Sequence, residues 1–131
     1  DAAMNLAHED SVRAVHPKAQ SNFYEFRDGG YANCNLYGIA GSHAFRAAEA
    51  FREGGQFMKN PRRLINAFGI FNIVLFRFRL LDLQGAARRL SRRFGVRIAV
   101  LVPPDGAQAV DVDNERTYDI AAMVLEQRKG A

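Results

Sequence analysis

The sequence predicts a layered α/β domain, a mixed sheet flanked by helices, and three observations carry that expectation. Apolar runs suited to strands recur between stretches with helical spacing of their apolar residues. Residues that favour helix starts, Asn60, Asp82 and Asn114, stand just before three of the helical stretches. Residues 96–102 (Val-Arg-Ile-Ala-Val-Leu-Val) are nearly all apolar after Arg97, as a strand covered on both faces requires. Strands and helices alternating in this way bury their apolar faces in layers. The 131 residues are enough for a core and are read as a single domain segment, 1–131, without internal repeats.

Each element has its own warrant. Residues 2–15 are mildly amphipathic and break at His16-Pro17. Residues 23–27 read as a strand running into the turn signal Asp28-Gly29-Gly30, and residues 31–39 as the next extended run, ending at Gly41. Ser42 is the expected cap of a helix with Ala44, Phe45, Ala48 and Phe51 on one face, stopped by Gly54-Gly55. Asn60-Pro61 is a capping side chain followed by proline at the first helical position, with Leu64, Ile65 and Phe68 as the apolar stripe and Gly69 as the stop.

Residues 70–81 are apolar on nearly every side except Asn72, Arg77 and Arg79. About a dozen residues cannot span a bilayer, which needs roughly 20. A buried or partner-covered helix is expected there, with a membrane-surface helix and a strand as the other readings. Asp82 caps a helix that turns Ala86, Ala87, Leu90 and Phe94 inward and ends at Gly95. After the loop Pro103-Pro104-Asp105-Gly106, residues 110–113 read as a short strand. Asn114 then caps the last helix, with Tyr118, Ala121, Ala122 and Leu125 as its inner stripe.

Composition narrows the function classes. With 48% hydrophobic and 24% charged residues the chain reads as an ordinary globular protein. Cys34 is the only cysteine, which leaves no disulfide framework and no thiolate metal cluster and favours a reducing, cytoplasmic setting. No stretch has the order of a signal peptide. The first residue is Asp rather than Met, so a piece of something longer is expected. The net charge of +4 is uneven: nine arginines lie between Arg62 and Arg97, where Asp82 is the one acid. Such a block attracts anions or simply forms the solvated faces of helices. Without a low-complexity basic tract or an aromatic ladder, nucleic acid is not an expected partner, and neither is a membrane.

Chemistry concentrates near the C-terminus. In the stretch Val110-Asp111-Val112-Asp113-Asn114, a strand would turn both carboxylates to one face, roughly 6.5–7 Å apart. Beside a helix N-terminus they would suit a hard cation facing phosphate. The plain alternative makes Asp111 a solvated turn residue and Asp113 a helper in capping. His8, His16 and His43 are scattered, without ligand spacing. Cys34, mid-strand between two asparagines, reads as a small buried residue before a nucleophile. Tyr24, Tyr31 and Tyr37 are core or cross-strand partners before they are pocket walls.

Two segments together resemble the C-terminal half of the MobA-like nucleotidyltransferases, the group that includes molybdenum-cofactor guanylyl- and cytidylyltransferases. Asp28-Gly29-Gly30-Tyr31-Ala32-Asn33-Cys34-Asn35-Leu36-Tyr37 is similar to the family strand in which an asparagine within a glycine-containing segment contacts the acceptor. Val110-Asp111-Val112-Asp113-Asn114-Glu115-Arg116 is similar to the closing D-[IV]-[DN]-T-P-E-D signature. The resemblance implies the C-terminal portion of a Rossmann-like nucleotidyltransferase domain. It makes Asp113 the catalytic magnesium ligand with Asp111 as a nearby carboxylate. It also makes Asn33, with Asn35 beside it, the acceptor contact, and Gly29 and Gly30 the place where the acceptor approaches the backbone.

The implied reaction moves a nucleoside monophosphate from a nucleoside triphosphate to a phosphorylated acceptor and releases pyrophosphate. The family's glycine-rich phosphate loop and its Asp-x-Pro segment have no counterpart among these residues, and Asn114-Glu115 stands where Thr-Pro is usual. The 131 residues by themselves are therefore expected to be inactive and to self-associate. The alternative is a non-catalytic anion- or protein-binding module that uses the arginine-rich helical region.

Overall fold

The chain opens with a strand, β1 (Ala2–His8), that passes without a linker into a helix, α1 (Glu9–Val15), in a computed structural model that describes residues 1–45, 49 and 60–131. The amphipathic stretch expected over residues 2–15 is thus two elements of different period. The change falls at His8, whose Nδ1 accepts a hydrogen bond from the Asp10 N–H at 3.2 Å and so caps α1. Glu9 and Asp10 in the first turn suit the positive end of the helix dipole.

Two strands follow, β2 (Tyr24–Phe26) and β3 (Gly29–Ile39), joined by the two-residue turn Arg27-Asp28. A 3-10 turn covers Ser42–Ala44, preceded by Gly41, which makes no side-chain cap bond. Ser42 is therefore the first residue of that turn rather than its cap. The rest of the helix expected there, with Ala48, Phe51 and Gly54-Gly55, lies outside the described residues. Then come α2 (Pro61–Phe68), α3 (Ile70–Arg77), α4 (Leu83–Phe94), β4 (Ile98–Leu101), a 3-10 turn at Gly106–Ala109 and α5 (Glu115–Lys129). The strands form one mixed sheet in the order β2-β3-β1-β4, so the fold is α/β, with five helices among the described residues.

The chain divides into two compact units. The first holds Asp1–Met4, Phe26–Asp28 and Tyr37–Val100. Asn60 caps α2 through bonds from the Arg62 and Arg63 N–H groups, and Asp82 caps α4 by accepting from Gly85 N at 2.6 Å. Gly95 ends α4 in the left-handed conformation at φ 65°, which glycine adopts without steric cost. The Arg27-Asp28 turn docks on the start of α4: Asp28 Oδ1 accepts from Leu83 N at 3.1 Å, and Arg27 N donates to the Leu81 carbonyl at 2.8 Å.

Several arginines of the basic block are spent on structure. Arg89 donates to Asn72 Oδ1 at 2.7 Å and lies over the Phe71 ring, while Arg93 donates to the Asn66 and Ala67 carbonyls at the end of α2. Helix α3 has no buried residue; Ile70, Phe71 and Phe78 just after it are 64, 65 and 68% exposed. Strand β4 is shorter than expected and is an edge strand, with Val100 buried and Ala99 and Leu101 exposed, so it is not covered on both faces.

The second unit holds Asn5–Glu25, Gly29–Leu36 and Leu101–Ala131. Its core gathers Ala7, Val12, Ala19, Ala32, Ala109 and Ile120, with Phe23, Cys34, Val110 and Met123 packed against them. Small residues dominate because the backbones approach closely. At Gly106 an added Cβ would stand 2.1 Å from the Ser11 carbonyl oxygen of α1. In α5 the buried face is Thr117 and Ile120, followed by half-buried Ala121 and Val124, whereas Tyr118 and Leu125 are exposed. Of the expected inner stripe Ala121 and Ala122 are half-buried, while Thr117 and Ile120 take the buried positions instead of Tyr118 and Leu125. The Thr117 hydroxyl is consumed by the helix cap.

Candidate functional site

All six residues singled out in the sequence, Gly29, Gly30, Asn33, Asn35, Asp111 and Asp113, belong to the second unit. Residues 110–113 do not form a strand. They leave the 3-10 turn as an exposed segment without sheet pairing, with Val112 52% exposed. The backbone bonding explains this. The Asp113 N–H donates to the Asp111 carbonyl at 3.1 Å and to Thr117 Oγ1 at 3.2 Å, so it is spent locally rather than on a ladder.

The start of α5 carries a reciprocal cap. Asn114 Oδ1 accepts from Thr117 N at 3.0 Å, and Thr117 Oγ1 accepts from Asn114 N at 3.3 Å. This arrangement also grips Asp113. Its Oδ1 accepts from Asn114 Nδ2 at 2.6 Å and from the Thr117 hydroxyl at 3.3 Å. Asp113 thus stands just ahead of a helix N-terminus with one oxygen held by neutral donors. Thr117, 4% exposed, was not anticipated as a site residue. The available signal was its position three residues after Asn114, the spacing of a capping box.

The glycine-containing strand reaches this segment through a side chain. Asn35 Nδ2 donates to Asp111 Oδ2 at 3.1 Å, across 76 residues of sequence. Asn33 Oδ1 accepts from Asn35 N at 2.9 Å. Asn33, Asn35, Asp111 and Asp113 therefore form one continuous set of hydrogen-bonded groups.

Gly29 and Gly30 lie apart from that set, at the start of β3, where their side-chain space is filled from within the unit. A Cβ at Gly29 would meet the His8 ring at 2.5 Å, and one at Gly30 would meet the Glu9 carboxylate at 3.1 Å and Phe23 at 3.2 Å. The Gly30 N–H donates to Glu9 Oε1 at 3.4 Å, and the His8 ring meets Tyr31 edge to face. These contacts give both glycines an internal packing role.

Cys34 is half-buried against the core. Burial pushes its thiol up, and a hydrogen bond with the Ala7 backbone draws it partly back. A thiol held protonated is a poor nucleophile. Two concavities open on this unit. One, of about 710 Å³, lies among α1, residues 104–107 and the end of α5; the other, of about 410 Å³, is lined by His16, Glu115, Arg116, Asp119 and Ile120. Neither is lined by Asp111 or Asp113, although the second begins two residues beyond Asp113. Among the described residues no three His, Cys, Asp or Glu side chains converge as a complete metal site, and no helix is long and apolar enough to cross a membrane.

No family model and no curated protein matches the chain in sequence. Among solved structures it is similar to one from Thermus thermophilus, described as a hypothetical transferase, with a TM-score of 0.73 and 24% identity. The match covers 88% of this chain and 50% of that one, so the chain spans half the length of that protein. A likeness at this identity establishes a shared fold.

Proposed function

We propose that the chain is the C-terminal half of a MobA-like, magnesium-dependent nucleotidyltransferase with a Rossmann-like domain. The reaction transfers a nucleoside monophosphate from a nucleoside triphosphate to a phosphorylated acceptor. One observation carries the reading: the hydrogen bond from Asn35 to Asp111 joins the two segments on which the resemblance rests. The fold shared with a protein described as a transferase, of which this chain matches half, supports the same reading.

In this mechanism an acceptor phosphate oxygen forms a bond to the α-phosphorus as the bond from that phosphorus to its bridging oxygen breaks. The electron pair leaves with pyrophosphate. The chain's task is to position and to neutralise charge, as phosphoryl-type chemistry requires. Asn33 orients the acceptor at the strand. Asp113 and Asp111 offer hard oxygen donors, and each has one oxygen already fixed by a neutral donor. Magnesium is commonly shared between one or two carboxylates and substrate phosphates, so these two side chains would hold it together with the phosphates rather than alone. When bound there, magnesium supplies charge neutralisation for the phosphates.

The test is pyrophosphate release by the polypeptide that carries both halves. Asp113→Ala should lower turnover about a hundred- to thousandfold or more, the scale for losing a group that stabilises transition-state charge. Asp113→Asn should do the same with the cap retained. Near-normal turnover of either folded variant would end the assignment.

A further inference from the structure

We infer that Asn35 is a positioning residue for Asp111 rather than a contact for the acceptor, an inference that rests on the nucleotidyltransferase reading above. Within the 11-residue strand β3, Asn35 has φ 54°, in the left-handed region. Asparagine tolerates that region better than most residues, and a non-glycine residue there usually reflects a constraint worth explaining. Here the constraint is visible. The positive φ interrupts the alternation of faces along the strand. The backbone N–H is tied to Asn33 Oδ1 at 2.9 Å, and the side-chain amide reaches Asp111 Oδ2 at 3.1 Å.

The chemistry of the donor also matters. An amide fixes one carboxylate oxygen without cancelling the negative charge, whereas Lys or Arg at this position would neutralise it. The Asp111 carboxylate therefore keeps its attraction for a cation while losing orientational freedom. The Asn35 N–H holds the side chain of Asn33, so the acceptor contact and the carboxylate are set by one local conformation. This division of labour separates the two asparagines that flank Cys34.

The test uses the 131-residue chain with two variants. Asn35→Gly keeps the left-handed backbone and removes the amide; Asn35→Asp keeps a side chain suited to that backbone and removes the donor. Two readouts are taken: backbone amide exchange at residues 111–113 and the affinity for Mn²⁺ alone, with thermal stability as the check on folding. Both variants should speed exchange at residues 111–113. Asn35→Gly should weaken Mn²⁺ binding about tenfold, the usual scale for losing a partner that orients a metal ligand, with little change in melting temperature. Unchanged exchange in both variants would overturn the inference, as would unchanged Mn²⁺ affinity in Asn35→Gly. If the wild-type chain takes up no Mn²⁺ near Asp111, the assignment of Asp111 to a divalent ion in this half fails, and the exchange readout still decides the role of Asn35.

Discussion

Replacing Thr117 by valine removes one oxygen from a nearly fully buried position and leaves the shape of the side chain almost intact, so its consequence is set by hydrogen bonding rather than by a cavity. That oxygen accepts from Asp113 N at 3.2 Å and Asn114 N at 3.3 Å, and it is within donor reach of the Asn114 carbonyl at 3.1 Å and Asp113 Oδ1 at 3.3 Å. Its single proton serves one of those two acceptors at a time. Each ordinary hydrogen bond contributes about 1 kcal/mol net, and the backbone groups released here lie near solvent, which recovers part of the loss. Losing one side of the reciprocal cap belongs to the same range. The expected cost of Thr117→Val is therefore about 1–2 kcal/mol. At a urea m-value of about 1.5 kcal/mol/M this lowers the unfolding midpoint by about 1 M. Far-UV circular dichroism in urea measures it, and Thr117→Ser, which keeps the hydroxyl, should lose less than half as much. A valine variant with the wild-type midpoint would refute the claim that this hydroxyl organises the start of α5 and the grip on Asp113.

Gly106→Ala should cost about 3 kcal/mol, because its Cβ would collide with the Ser11 and Val12 backbone, which has no flexible end to yield; a variant as stable as wild type in urea would contradict that packing. The Cys34 thiol should react with a disulfide reagent at neutral pH more slowly than free cysteine, because burial pushes it up and leaves less thiolate; faster reaction would contradict the stated cause. The exposed Ile70, Phe71 and Phe78 on and beside α3 lead us to propose self-association. Sedimentation at high concentration should show larger species that Phe71→Glu with Phe78→Glu reduces to monomer, and a wild-type chain that is monomeric throughout would remove the proposal.

Signals confined to a few neighbouring residues were the legible ones. Asn60, Asp82 and Asn114 cap the helices they precede, Gly95 ends α4, and β3 follows the run read as extended, because caps and stops depend on groups within one turn. Misreadings arose where a distant or sideways contact decides. The division at His8 depends on a ring nitrogen acting as a cap, a role histidine seldom announces. Residues 110–113 alternate as a strand would, yet Thr117 claims the Asp113 N–H before any neighbouring strand can. The exposure of Ala99 and Leu101 on β4 depends on which elements cover that face, which apolar content alone does not reveal. For the candidate site, Asp111 and Asp113 stood out as two carboxylates just ahead of a helix start, whereas Asn33 and Asn35 entered through the family resemblance. The link between Asn35 and Asp111 was beyond sequence reasoning, since it depends on a left-handed residue within a strand.

The most direct test of the divalent-ion assignment is a titration of the isotopically labelled 131-residue chain with Mn²⁺, followed by paramagnetic broadening of backbone amide signals. Binding should be weak, with broadening centred on residues 111–114 and Asn35 and abolished by Asp113→Asn. Broadening centred elsewhere, or unaltered by that substitution, would contradict the assignment.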